Sequence, residues 1–83
     1  MKSKDRNYRL YIEDILLSLT RILEYVQGMD FLKFKQSNIT VDAVVRNFEI
    51  IGEAAKNIPD HIVDKYQQIP WKKMYGLRNL ITH

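Results

Sequence analysis

The sequence predicts an all-α fold, a small antiparallel helical bundle, on three observations. Apolar residues recur at three- and four-residue steps through two long stretches, the spacing of one helical face, and no stretch alternates with the period of a strand. Three glycines and two prolines are too few for a turn-rich β fold. A composition of 46% hydrophobic and 28% charged residues is that of a chain that folds. The expected layout is three long helices with one or two short ones.

The first long helix follows from Ile12, Ile15, Leu16, Leu19, Ile22, Leu23 and Val26, which form one stripe between Tyr8 and Val26. Asp5 stands where a cap would start it, and Gly28 where a left-handed residue ends one. Tyr8, Tyr11, Leu17 and Tyr25 fall outside the stripe, so the apolar surface is wider than one neighbouring helix needs. Asp30 then caps one or two turns anchored by Phe31, Leu32 and Phe34. Thr40 caps the second long helix, with Asp42 in its positive first turn and Val41, Val44, Val45, Phe48, Ile51, Ala55 and Ile58 on one face. Gly52 lies in mid-helix beside Ala54 and Ala55, at a cost of up to about 1 kcal/mol relative to Ala, so another helix is expected to cross closely there. Pro59 ends this helix, and Pro59-Asp60 opens a shorter one to about Gln67, with Ile62, Val63 and Tyr66 inward. Pro70 takes the favoured first position of a final helix running from Trp71 to the end, on which Trp71, Met74, Tyr75, Leu77 and Ile81 are apolar.

Residues 1–83 make a single domain. Size scaling gives a folded surface of roughly 5,200 Å² against about 14,400 Å² unfolded, so a lone monomer is marginal. With no cysteine there is neither a disulfide nor a thiolate metal site, and a second subunit is the expected source of further burial. Glu13 and Asp14 interrupt the first apolar run, which reads as neither signal peptide nor membrane span, so a cytoplasmic protein is expected. Asn38-Ile39-Thr40 matches a glycosylation sequon but carries no weight in that setting. A net charge of +3, from 13 basic and 10 acidic residues, permits contact with a polyanion without identifying one.

Most catalytic patterns are absent. Gly28, Gly52 and Gly76 are scattered and form no phosphate loop, His61 and His83 have no partner at metal-binding spacing, and Ser3, Ser18 and Ser37 have no nucleophile context. No metal and no cofactor is expected. The final stretch, Gly76-Leu77-Arg78-Asn79-Leu80-Ile81-Thr82-His83, holds a cation, an amide and an imidazole within one and a half helical turns. Asn79 and His83 are four apart and share a face, so the amide can orient the ring. Arg78 lies roughly 140° around the axis from His83, so one helix supplies half a site. Histidine moves protons at neutral pH, and the arginine fork binds phosphoryl oxygens in pairs and stabilises added negative charge without a metal. The same residues would also suit an exposed, solvated helix face.

The sequence resembles the HEPN superfamily, and within it the HepT-like proteins of toxin-antitoxin pairs. Asp42-Ala43-Val44-Val45-Arg46-Asn47-Phe48-Glu49-Ile50-Ile51-Gly52-Glu53-Ala54-Ala55 looks like that group's second long helix, and Ile69-Pro70-Trp71 like the start of its motif helix. Arg78 to His83 matches the superfamily's arginine, four to six residues, histidine signature. The resemblance implies a homodimer whose two motif helices line one cleft, and metal-independent endoribonuclease activity in which the ribose 2′-hydroxyl attacks the adjacent phosphate. It implies His83 as general acid or base, Arg78 holding the phosphate and Asn79 orienting them. It further implies a nucleotidyltransferase antitoxin of the MntA type as partner, which adds AMP to a tyrosine just beyond the histidine. Members continue past the histidine with one residue, that tyrosine and a last helix, whereas this sequence ends at His83. The expectation is therefore a shortened family domain, with a terminal ring that frays and a carboxylate that repels phosphate.

Lys72, Lys73, Arg46 and Glu53 are the further candidates for contact with RNA or phosphate. Glu49 fits a solvated face, His61 a surface position, and Trp71 and Tyr75 the core rather than a base-stacking platform. The alternative to an enzyme is a noncatalytic helical module that binds a nucleotidyltransferase or RNA.

Overall fold

The computed structural model describes the backbone of residues 2–77 and Asn79, and the side chains of residues 8–77 and Asn79. The described elements are α1 (Lys2–Tyr25), α2 (Phe31–Gln36), α3 (Asn38–Lys56), α4 (Asp60–Lys65) and α5 (Trp71–Tyr75), with no strand among them. The all-α bundle expected from the apolar spacing is the observed architecture.

Local signals set most of the boundaries. Gly28, at φ +78°, turns the chain after α1 as expected. Asp30 caps α2 by accepting from the Lys33 amide at 2.8 Å. The cap of α3 is Ser37 rather than Thr40: the Thr40 amide donates to Ser37 Oγ at 3.3 Å, and that hydroxyl donates to Thr40 Oγ1 at 2.8 Å. This earlier start moves Asp42 out of the first turn. Similarly, α1 begins at Lys2, so Asp5 lies inside it rather than at its cap. Pro70 sits at the cap position of α5 instead of its first helical position. α5 ends at Gly76, whose backbone amide reaches back to Lys73 O and Met74 O, and Gly76 and Leu77 form a turn.

The core forms where α3 packs along α1 and α5 packs on α3. Ile15, Ile51, Ala54, Ala55, Ile58 and Trp71 are its buried members, and Tyr8 and Tyr11 pack against them rather than outside the apolar stripe. Ile51 and Ala55 are wholly buried. Burial of an Ile side chain is worth about 1.5–3 kcal/mol, so the α3 face dominates the stability of a domain this small. The inner face of α1 is narrower than its apolar residues suggest: Leu16, Leu19 and Leu23 are exposed, Leu23 by 70%, because no described element packs on that side. Phe31 and Leu32 are likewise exposed and do not anchor α2, and Tyr66 at the end of α4 is 39% exposed. Two polar side chains are buried in the α1 and α3 faces, Ser18 and Asn47. The Asn47 amide donates to Ala43 O at 2.8 Å, while its Oδ1 meets no partner among the described residues. The surface area of 6425 Å² exceeds the roughly 5,200 Å² that scaling gives for a compact monomer, consistent with the uncovered leucines.

Candidate functional site: a polar groove beside the motif helix

The site begins at Gly52. Its helical position faces α5 so closely that a Cβ there would lie 3.1 Å from Met74 O and 3.3 Å from Tyr75 O. The small residue expected to admit a crossing helix therefore does so, and the helix it admits leads directly into the Arg78 to His83 motif. Ala54 and Ala55, on the same turn of α3, are buried in the core. Trp71 locks the other end of α5: it is 95% buried, with 5% of its surface left, and its Nε1 donates to Tyr66 O at 3.1 Å. A buried indole with its N–H satisfied is a rigid post. This confirms Trp71 as core, as its position after Pro70 implied.

Beside this junction runs a groove of about 430 Å³ between the outer face of α3 and Tyr75. Arg46, Glu49, Glu53 and Lys56 line it, with Gly52 in its floor. These four stand at i, i+3, i+7 and i+10, one stripe of α3 about 15 Å long. Arg46 and Glu53, both singled out from the sequence, are thus brought together next to the motif helix. On the far side of α5, Lys72 and Lys73 are exposed at the rim of a second, mainly apolar groove of about 390 Å³ floored by Trp71 and Pro70. The two lysines do not share the groove of Arg46 and Glu53. Tyr75 borders both grooves.

Of the three residues expected to carry catalysis, Asn79 is exposed and its backbone N–H donates to Gly76 O at 3.0 Å. Arg78 and His83 lie outside the described residues. His61 is exposed in the first turn of α4, as expected. Sequence reasoning missed Lys56 and favoured core packing over base stacking for Tyr75. The signal for Lys56 was its place three residues after Glu53 on the Arg46 stripe. Tyr75 is half-buried, packed against the core and lining both grooves. Among the described residues no group of His, Asp and Glu could hold a metal ion, and no helix is long and apolar enough to cross a membrane.

Comparison with known proteins addresses this chain at nearly full length. A putative RNase of Methanocaldococcus jannaschii is 38% identical over 78 residues, 94% of this chain and 64% of the relative. A putative RNase of Caldanaerobacter subterraneus subsp. tengcongensis is 39% identical over 75 residues, 90% of this chain and 67% of the relative. A probable ribonuclease HepT of Thermococcus cleftensis is 37% identical over 78 residues, 94% of this chain and 71% of the relative. The chain thus spans about two thirds of the length of these relatives, and less than that of the first. No solved structure matches it significantly. The family model described as Ribonuclease HepT-like matches residues 15–83, a span that takes in the α1 and α3 core, the Gly52 seat and the whole arginine-to-histidine motif. On that match, the chain belongs to the HepT-like family of the HEPN superfamily.

Proposed function

We propose that the protein is a metal-independent endoribonuclease that works as a homodimer, with Arg78, Asn79 and His83 of each copy forming one composite site. The observation that supports this reading is the close docking on Gly52 of α5, the helix that precedes the motif in the sequence, in a chain that belongs to the HepT-like family. In the proposed reaction, one His83 imidazole takes the proton of a ribose 2′-hydroxyl as the oxygen attacks the adjacent phosphorus. The second copy's His83, protonated, gives a proton to the departing 5′-oxygen. The products are a 2′,3′-cyclic phosphate and a 5′-hydroxyl, so no co-reactant is needed. Arg78 holds the non-bridging oxygens as negative charge builds on them, and Asn79 steadies the ring four residues on. Proton transfer by a placed imidazole is worth about 10²–10⁴-fold in rate, enough to make the histidine indispensable.

The exposed Leu16, Leu19 and Leu23 of α1 support the dimer, since an uncovered apolar stripe favours a second subunit. Lys72 and Lys73 support RNA contact near the motif, and the proposed setting is a cytoplasmic toxin held in check by an MntA-type nucleotidyltransferase. The test is incubation of the protein with tRNA and mRNA in EDTA beside His83→Ala and Arg78→Ala. The expected result is cleavage to cyclic-phosphate ends that falls at least 100-fold in either variant. Cleavage unchanged in His83→Ala refutes the mechanism, and RNA binding without any cleavage supports the noncatalytic module instead.

A further inference from the structure

We infer that the groove over Trp71 is a docking site for the outer face of α1 of a second copy of this chain, a head-to-tail contact separate from the composite-site dimer. The groove, of about 390 Å³, joins an apolar floor of Val63, Ile69, Pro70 and Trp71 to two exposed lysines, Lys72 and Lys73, and no acid lines it among the described residues. Its floor is held in place by hydrogen bonds: the Trp71 indole and the Ile69 amide both donate to Tyr66 O at 3.1 Å, and the Trp71 amide donates to Ile69 O at 2.8 Å. A groove already formed costs little ordering when it is filled. Trp71 is too buried to offer a base a stacking face, so an RNA strand gains only the two lysines there. The occupant that gains from both parts of the lining is an apolar side chain with carboxylates beside it.

The chain carries that pattern on its own surface. Leu10 is 57% exposed and Leu17 49%, and both lie roughly 140–160° around α1 from the buried Ile15, outside the stripe of Leu16, Leu19 and Leu23. Seven residues apart, they stand on one line about 10 Å apart along the helix, with the exposed Glu13 on one side of that line and Asp14 on the other. The other charges of this face, Arg6, Arg21 and Glu24, lie beyond the two leucines. Apolar anchors at i and i+7 bracketed by charge are the pattern by which a helix is read in a groove. Here the leucines supply the buried area, while Glu13 and Asp14 against Lys72 and Lys73 set the orientation. Groove and helix face are different surfaces, so each copy added keeps one of them free and the contact propagates. Lys72 and Lys73 are also the lysines proposed to meet RNA, so on that reading the contact and RNA exclude one another; the association itself does not depend on it.

The experiment is sedimentation equilibrium of the full chain without RNA, from about 5 to about 500 µM because a contact this small is weak, at low and at high salt. The expected result is an average mass that rises past the dimer without levelling off at low salt and falls back at high salt. Lys72→Glu with Lys73→Glu, and separately Glu13→Lys with Asp14→Lys, are all at exposed positions and are checked by thermal melting. Each pair is expected to abolish growth beyond the dimer, and an equimolar mixture of the two variants to restore it, because each reversed surface then meets its complement. Leu17→Ser is expected to weaken the association at least tenfold. A parent mass that stops at the dimer overturns the proposal, as does growth that survives either charge reversal or a mixture that gains nothing over its components. Binding of a labelled RNA strand that is lost on reversing the lysines, in a parent that never passes the dimer, gives the groove to RNA instead. The two readings fail separately: His83-dependent cleavage by a chain that does not extend removes only this contact, and extension without cleavage removes only the nuclease.

Discussion

Replacing Gly52 by Ala tests whether the motif helix is seated by backbone contact. Away from any neighbour, Gly→Ala inside a helix stabilises by about 0.5–1 kcal/mol. At Gly52 the new methyl would stand 3.1 Å from Met74 O and 3.3 Å from Tyr75 O, both backbone atoms that cannot swing aside without moving α5. Overpacking of this kind costs about 1–3 kcal/mol. The difference leaves a net loss of about 1 kcal/mol, which for a domain of this size lowers Tm by about 4–8 °C. The assay is thermal unfolding followed by far-ultraviolet circular dichroism and by the fluorescence of Trp71, which sits at the start of the displaced helix. Gly76→Ala is the control, because a Cβ there meets nothing within 4 Å among the described residues and its φ is ordinary. A Gly52→Ala protein that melts at or above the parent temperature refutes the close-seat account.

Three further substitutions probe the scaffold. Ile51→Ala empties a wholly buried position and is expected to cost about 2–5 kcal/mol, enough to leave much of a small domain unfolded in a urea titration at 25 °C. Trp71→Phe keeps most of the ring but abandons the hydrogen bond to Tyr66 O; a loss of about 1 kcal/mol is expected, and an unchanged midpoint would show the bond to be idle. Ser37→Ala removes the cap of α3 and should cost about 1 kcal/mol, whereas a larger loss from Thr40→Ala would return the capping role to Thr40.

The fold was legible where a single helix decides its own pattern. Val44, Ile51 and Ala55 could be placed inside because their spacing follows one face of α3, with Ile58 just beyond its end, and Gly52 because a mid-helix glycine is costly unless a neighbour needs the room. Reading failed where the answer depends on what lies opposite. Leu16, Leu19 and Leu23 belong to the same apolar stripe as Ile15, yet only the part facing α3 is covered. Ser37 and Thr40 are both good caps three residues apart, and the choice between them turns on one hydroxyl meeting one amide. The candidate site divides in the same way. The arginine-to-histidine spacing is visible in the sequence, as are Arg46 and Glu53 and, by the same helical spacing, Lys56, but the place of Tyr75 beside them follows from how α5 crosses α3, which no local periodicity encodes.

Tyr75 forms a party wall between the polar trough on α3 and the basic-rimmed trough over Trp71. Neither can be reshaped at that ring in isolation: a substitution that widens one also changes the flank of the other. Retuning such a surface for a new ligand would have to proceed from the outer positions, Arg46 and Lys56 on one bank or Gln67 and Lys72 on the opposite one, leaving the shared partition untouched.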